Sequence, residues 1–178
     1  MIIGLGYKAR SGKDTVADRL VKRHGFTKRA FADALKEACA VIFQLNHDQL
    51  YGDLKGVVDP FWKTTPRDIL QRVGTEAMRV GFDANVWVNS WRRYLKENTS
   101  QENWVVPDVR FPNEAEAVKN MGGVVVRVDR DGRDAIDGQK HASETSMEGY
   151  GEWDYVIDNN SNLNDLYLST DRMLKELG

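Results

Sequence analysis

Met1-Ile-Ile-Gly-Leu-Gly-Tyr-Lys-Ala-Arg-Ser-Gly-Lys-Asp-Thr15 decides how the rest of this chain is read. Met1 to Leu5 is a short apolar run with the character of a buried strand, and it ends in glycine. Asp14 to His24 follows as a helix, with Val16, Ala17 and Leu20 on one side and Gly25 as its stop. Strand, glycine-containing loop, Gly-Lys and helix N-terminus together form the context of a Walker A phosphate loop. In such a loop, backbone N–H groups and the positive helix end cradle phosphates, and the lysine ammonium reaches the terminal ones. The loop departs from the G-x4-G-K pattern twice. Gly6 lies one residue early, so Tyr7 stands at the opening position, and Asp14 follows Lys13, which delays the hydroxyl to Thr15. A chance Gly-Lys-x-Thr would not be expected to fall directly between a strand and a helix.

Outward from the loop, strands and helices alternate. Phe26 to Phe31 reads as a second strand and Asp33 to Phe43 as a helix, whereas Leu45 to Thr64 is mixed and glycine-interrupted and supports no assignment. Thr65-Pro66 opens a helix whose buried stripe is expected at Ile69, Val73 and Ala77, and Val86 to Glu97 forms another. Trp104 to Val109 is a buried strand. Asn113 is expected to cap the next helix, which Gly122-Gly123 ends. Val124 to Val128 and Tyr155 to Ile157 complete the strands, and Leu163 to Leu177 closes as an amphipathic helix. This order predicts an α/β fold with a parallel sheet covered on both faces. Its ligands should sit at the carboxyl ends of the strands.

The 178 residues suit one domain, expected to span 1–178, and 41% hydrophobic with 29% charged residues is ordinary for a globular protein. The single cysteine, Cys39, excludes an intrachain disulfide and a multi-cysteine metal site, and His24, His47 and His141 lack metal-ligand spacing. The first apolar run stops at Lys8 and no stretch approaches about 20 apolar residues, so a cytoplasmic protein without membrane contact is expected. Residues 1–36 hold nine Lys/Arg against three Asp/Glu, and residues 144–178 hold two against eight. A basic N-terminal segment suits a phosphorylated small ligand or nucleic acid. With no RGG, zinc-finger or RNA-binding signature, stable nucleic-acid binding is not expected.

A phosphate loop alone fits a kinase, a GTPase or a motor, and further residues lean toward a kinase. Asp108 ends its strand as an acidic residue that organises magnesium would, Arg110 follows two residues on, and Glu114 sits one turn into the next helix. Guanidinium matches phosphate bidentately, so a strand-end Asp beside an Arg can hold metal and phosphate together. Arg67, Gln71 and Thr75 recur at spacings of four, and Gly74 leaves room for a close neighbour. Trp87 either packs in the core or stacks on a base. Arg127, Arg130 and Arg133 lie in or beyond the fourth strand, and the polar stretch to Gln139 reads either as a lid, about 129–142, or as an exposed hairpin. His141-Ala-Ser-Glu144 has no nucleophile elbow to support a hydrolase triad.

Four blocks in order, Ser11-Gly-Lys-Asp-Thr15, Thr65-Pro-Arg-Asp-Ile-Leu-Gln-Arg-Val-Gly-Thr-Glu76, Asp108-Val-Arg-Phe-Pro-Asn-Glu-Ala115 and His141-Ala-Ser-Glu144, resemble the bacteriophage deoxynucleoside monophosphate kinases. In that family Asp takes the place of the usual hydroxyl residue after the loop lysine. The resemblance implies a P-loop kinase fold with a central five-stranded parallel sheet in order 2-3-1-4-5, a helical acceptor-binding region at about 45–100 and a short lid. It implies that Ser11, Gly12, Lys13, Asp14 and Thr15 hold ATP, and that Asp14, Thr15 and Asp108 hold Mg2+. Arg67, Gln71, Gly74, Thr75, Trp87, Asp108, Arg110 and Glu114 would receive the deoxynucleotide, with Lys13, Asp108, Arg110 and Arg130 as the catalytic set. The expected reaction gives ADP and a dNDP, in the host cytoplasm if the protein is phage-encoded, and the family suggests a homodimer. A kinase of another small phosphorylated metabolite and a nucleic-acid-associated ATPase are the alternatives.

Overall fold

Apolar strands and amphipathic helices alternate as the sequence predicts in a computed structural model that describes residues 1–131 and 141–178. Five strands, β1 (Ile2–Gly6), β2 (Thr27–Lys28), β3 (Trp104–Val109), β4 (Val124–Asp129) and β5 (Tyr155–Asp158), form one sheet in order β2-β3-β1-β4-β5 among the described residues. All pairings are parallel. This is the order that the family resemblance implies. It puts β1 in the middle, so the segments leaving β1, β3 and β4 emerge side by side at one edge of the sheet. Gly6 is paired with Val109 on one side and with Arg127 on the other.

Successive residues of β1 serve opposite faces. Ile3 and Leu5 join a fully buried cluster with Val16 and Leu20 of α1 (Lys13–His24) and with Leu166 and Met173 of a long C-terminal helix, Leu163–Leu177. On the opposite face, a Cβ at Gly4 would lie 3.2 Å from Val118, which belongs to the helix Pro112–Asn120. Each fully buried aliphatic chain contributes roughly 1.5–3 kcal/mol. Burial on both faces makes the central strands β1, β3 and β4 largely apolar runs, which is why the sequence announces them.

The residues group into two compact units, one of Met1–Ala30 with Leu95–Gly178 and one of Phe31–Tyr94. The first unit holds the sheet. The second is helical, with α2 (Asp33–Phe43), α3 (His47–Tyr51), a 3-10 turn (Asp53–Gly56), α4 (Pro66–Gln71) and most of α5 (Val86–Glu97). The remaining helices are α6 (Pro112–Asn120), α7 (Ala142–Thr145) and α8 (Leu163–Leu177).

Three local expectations are corrected. The second strand shrinks to Thr27–Lys28, since it lies at the sheet edge and pairs only with β3. The helix from Pro66 continues from Arg72 to Val80 as a π-helix, whose i→i+5 hydrogen bonds put more than four residues in each turn. The buried stripe therefore runs from Ile69 and Leu70 to Gly74, while Val73 is only half-buried and Ala77 is exposed. Asn113 does not cap α6: Pro112 takes the first position and Phe111 the cap, because proline there has no N–H to satisfy.

Candidate active site

The loop between β1 and α1 is built from strain and burial together. Tyr7 has φ +93° and Arg10 φ +58°, both in the left-handed region, and Gly12, the N-cap of α1, has φ +106°. A Cβ on Gly12 would lie 2.5 Å from Nδ2 of Asn159. That Nδ2 donates to the Ser11 carbonyl at 2.8 Å, and the Asn159 backbone N–H donates to the Asp129 carbonyl at 2.8 Å. The residue after β5 thus ties the phosphate loop to the end of β4. Ser11 is fully buried and Lys13 is nearly so. The Lys13 ammonium donates to the Tyr7 carbonyl at 3.2 Å, to the Lys8 carbonyl and, at 3.4 Å, to Ser11 Oγ. Asp14 is exposed in the first turn of α1, beside half-buried Thr15. A carboxylate there complements the helix dipole.

At the neighbouring strand end, β1 advances two residues from Gly4 to Gly6 while β3 advances three from Val106 to Val109. The extra residue is a bulge at Pro107-Asp108, where proline has no N–H for the ladder. Bulges re-aim side chains, and this one carries Asp108. Arg110 follows, and its backbone N–H donates to Glu114 Oε2 at 2.7 Å, as does that of Phe111 at 3.1 Å. Glu114 is 3% exposed; its carboxylate accepts from the turn that presents Arg110. The Arg110 guanidinium donates to the Ser143 carbonyl of α7 at 3.5 Å. His141 caps that turn, its Nδ1 accepting from the Ser143 N–H at 3.2 Å.

Beyond β4, Arg130 is exposed directly after the strand. Arg127, grouped with it by sequence, is committed elsewhere. Its guanidinium pairs with Asp129 and lies over the Tyr7 ring, 3.9 Å from the centroid. Arg133 and the expected lid span from 132 to 140 lie outside the described residues.

In the helical unit, Thr65 and Asp68 cap α4 reciprocally, with Thr65 Oγ1 donating to Asp68 Oδ2 at 2.7 Å and the Asp68 N–H donating back at 3.1 Å. The Thr65 hydrogen bond holds the Asp68 carboxyl below the usual carboxylate range. Arg67 is exposed, and Gln71 and Thr75 are half-buried. Gly74 is buried against Leu35, whose Cδ2 would lie 2.6 Å from an added Cβ. Trp87 is 8% exposed and donates its indole N–H to the Gly74 carbonyl at 2.9 Å. The close neighbours that Gly74 admits are thus Leu35 and the Trp87 indole.

Among the described residues, no group of three or more His, Cys, Asp and Glu is arranged to hold a metal alone. Asp14, Thr15 and Asp108 offer two carboxylates and a hydroxyl, all hard oxygen donors. Magnesium takes one or two carboxylates and completes its shell with water and substrate phosphates, so this donor set fits Mg2+ arriving with a nucleotide.

Sequence reasoning missed Asn159 as a partner of the phosphate loop and missed the contacts of Tyr7. Trp153, which meets Tyr7 edge-on at 6.3 Å between centroids, carries no motif. The one available signal was the departure at Tyr7, an aromatic where the pattern wants glycine.

Residues 57–170 match the family model described as deoxynucleotide monophosphate kinase. A protein of Acanthamoeba polyphaga mimivirus, provisionally named a deoxynucleotide monophosphate kinase, is 36% identical over 94% of this chain and 92% of its own length. The deoxynucleotide monophosphate kinase of Enterobacteria phage T4 is 32% identical over 62% of this chain, a match spanning 46% of the phage protein. Among solved structures, dephospho-CoA kinase from Campylobacter jejuni aligns over 99% of this chain and 97% of its own, with a TM-score of 0.53. At 14% identity that likeness concerns the fold.

Proposed function

Because the chain belongs to the deoxynucleotide monophosphate kinase family, we propose that it transfers the γ-phosphoryl group of ATP to the phosphate of a deoxynucleoside monophosphate. The observation that carries this reading is the buried Lys13 at the N-terminus of α1, held by the loop's own carbonyls. An acceptor phosphate oxygen forms a new bond to the γ-phosphorus as the bond to the β,γ-bridging oxygen breaks, releasing ADP. The attacking oxygen is already anionic near neutral pH, so no strong base is required, and positioning with charge neutralisation does the catalysis.

Ser11, Gly12, Lys13, Asp14 and Thr15 are the residues we assign to ATP, with the loop amides and the Lys13 ammonium meeting its phosphates. Arg110, oriented through Glu114, meets the acceptor phosphate, and Arg130 supplies further positive charge. Arg67, Gln71 and Thr75 are the acceptor contacts of the helical unit, with Gly74 and Trp87 shaping that wall from within. Asp14, Thr15 and Asp108 would hold Mg2+, which when bound spreads the charge of the β- and γ-phosphate oxygens. No helix among the described residues is long and apolar enough to cross a membrane, and we place the reaction in the cytoplasm. The family resemblance supports a homodimer, which light scattering on the purified protein reads directly.

ADP formation from Mg-ATP, measured with dAMP, dGMP, dCMP, dTMP and their ribonucleotides against a blank without acceptor, tests the reading. Turnover that requires one or more dNMPs is expected. Hydrolysis indifferent to every acceptor would overturn it.

A further inference from the structure

Tyr7 holds φ +93° where the chain leaves β1, a conformation open to glycine and costly for an aromatic residue. Three contacts keep it there. Strand register brings Arg127 beside Gly6 and its guanidinium onto the face of the Tyr7 ring, 3.9 Å from the centroid. Asp129 pairs with the same guanidinium, and Arg127 Nε is buried with no hydrogen-bond partner among the described residues. This cation is therefore partly withdrawn from water and faces the ring. Trp153 meets Tyr7 edge-on and covers Gly6 so closely that a Cβ there would lie 2.7 Å from its ring. The carbonyls of Tyr7 and Lys8 accept from the Lys13 ammonium, so any rotation at Tyr7 moves the oxygens that place it.

We propose that Tyr7 is a positioning residue for ATP: its ring, clamped by Arg127 and Trp153, maintains the left-handed turn that a glycine supplies elsewhere and so sets where Lys13 meets the phosphates. The proposal rests on the phosphate-loop reading but not on the identity of the acceptor. It also gives Arg127 a task distinct from that of Arg130.

Binding of Mg-ATP by calorimetry, with the KM for the acceptor measured separately, tests this. Tyr7→Phe keeps the ring and should bind ATP within twofold of the parent. Tyr7→Leu, Tyr7→Gly and Arg127→Met should each weaken ATP about tenfold, the range of a partly desolvated cation–π contact, and leave the KM of the acceptor within twofold. Tyr7→Leu with Arg127→Met should lose no more than the worse single variant, since both remove one contact. Wild-type ATP affinity in Tyr7→Gly, additive losses in the double variant, or equal weakening of both substrates would each overturn the proposal. Should Tyr7→Leu fail to fold, Arg127→Met at its partly exposed site carries the same comparison. A parent that binds ATP but phosphorylates no dNMP would defeat the proposed reaction while this binding series still decides the role of Tyr7.

Discussion

Gly12 and Asn159 compete for one position in space. An alanine at 12 would drive its Cβ to 2.5 Å from the Asn159 amide and would hold φ +106° against its own side chain. We expect Gly12→Ala to lose ATP binding by at least tenfold in calorimetry, because the loop must shift away from the Asn159 amide that holds its Ser11 carbonyl. Lys13→Ala removes the ammonium that the loop carbonyls hold and should abolish ADP formation while circular dichroism stays that of the parent; near-normal turnover would contradict the mechanism. Arg110 belongs to a different segment from the loop, on a turn fixed by Glu114. Arg110→Ala should therefore raise the KM of the dNMP tenfold or more and leave ATP affinity within twofold, and a selective loss of ATP binding would reassign it.

At the scale of elements, the central strands were legible because a parallel sheet buried on both faces demands apolar runs. The phosphate loop was legible because its donors are contiguous in sequence. The π-helix from Arg72 to Val80 was not: residues four and five apart serve the same face there, and no local composition separates that pitch from an α-helix. The region after Leu45 resisted for another reason, since α3 has only five residues and its signal is the pair Asn46 and Gln49, which cap each other. Asn159 was hidden by distance, lying 148 residues from its partner. The π-helix yields its own expectation. Gly74→Ala would push a methyl against Leu35 and disturb the carbonyl that receives the Trp87 indole. Overpacking of this kind outweighs the helix propensity gained, for a net loss of about 1 kcal/mol. Thermal melting should show a midpoint about 2–4 °C lower, with altered tryptophan emission.

Across the whole chain, α1 and α8 are joined by Asp171, which accepts from Arg19 at 3.0 and 2.6 Å and lies 2.8 Å from His24. The Arg19 guanidinium, with His24, holds the Asp171 carboxyl down at about 2, against an ordinary carboxylate value near 4. A depressed carboxylate stabilises the fold fully above its unfolded value and loses that contribution as pH falls from about 4 toward 2. Asp171→Asn should cost roughly 1 kcal/mol at pH 7, after allowance for its partial exposure. Urea midpoints of parent and variant should then converge across that acid window. A difference that persists unchanged at pH 2 would show that the ion pair is not the cause.

The clamp on Ser11 has a consequence for the order of events on the ribosome. The strand and helix that flank the phosphate loop are synthesised well before Asn159, which lies 148 residues beyond Ser11. A nascent chain therefore carries an unfinished loop until β5 docks. On the proposed reading of the loop, a product of translation arrested before that point should fail to hold ATP, and competence to bind nucleotide should report that β5 has joined the sheet.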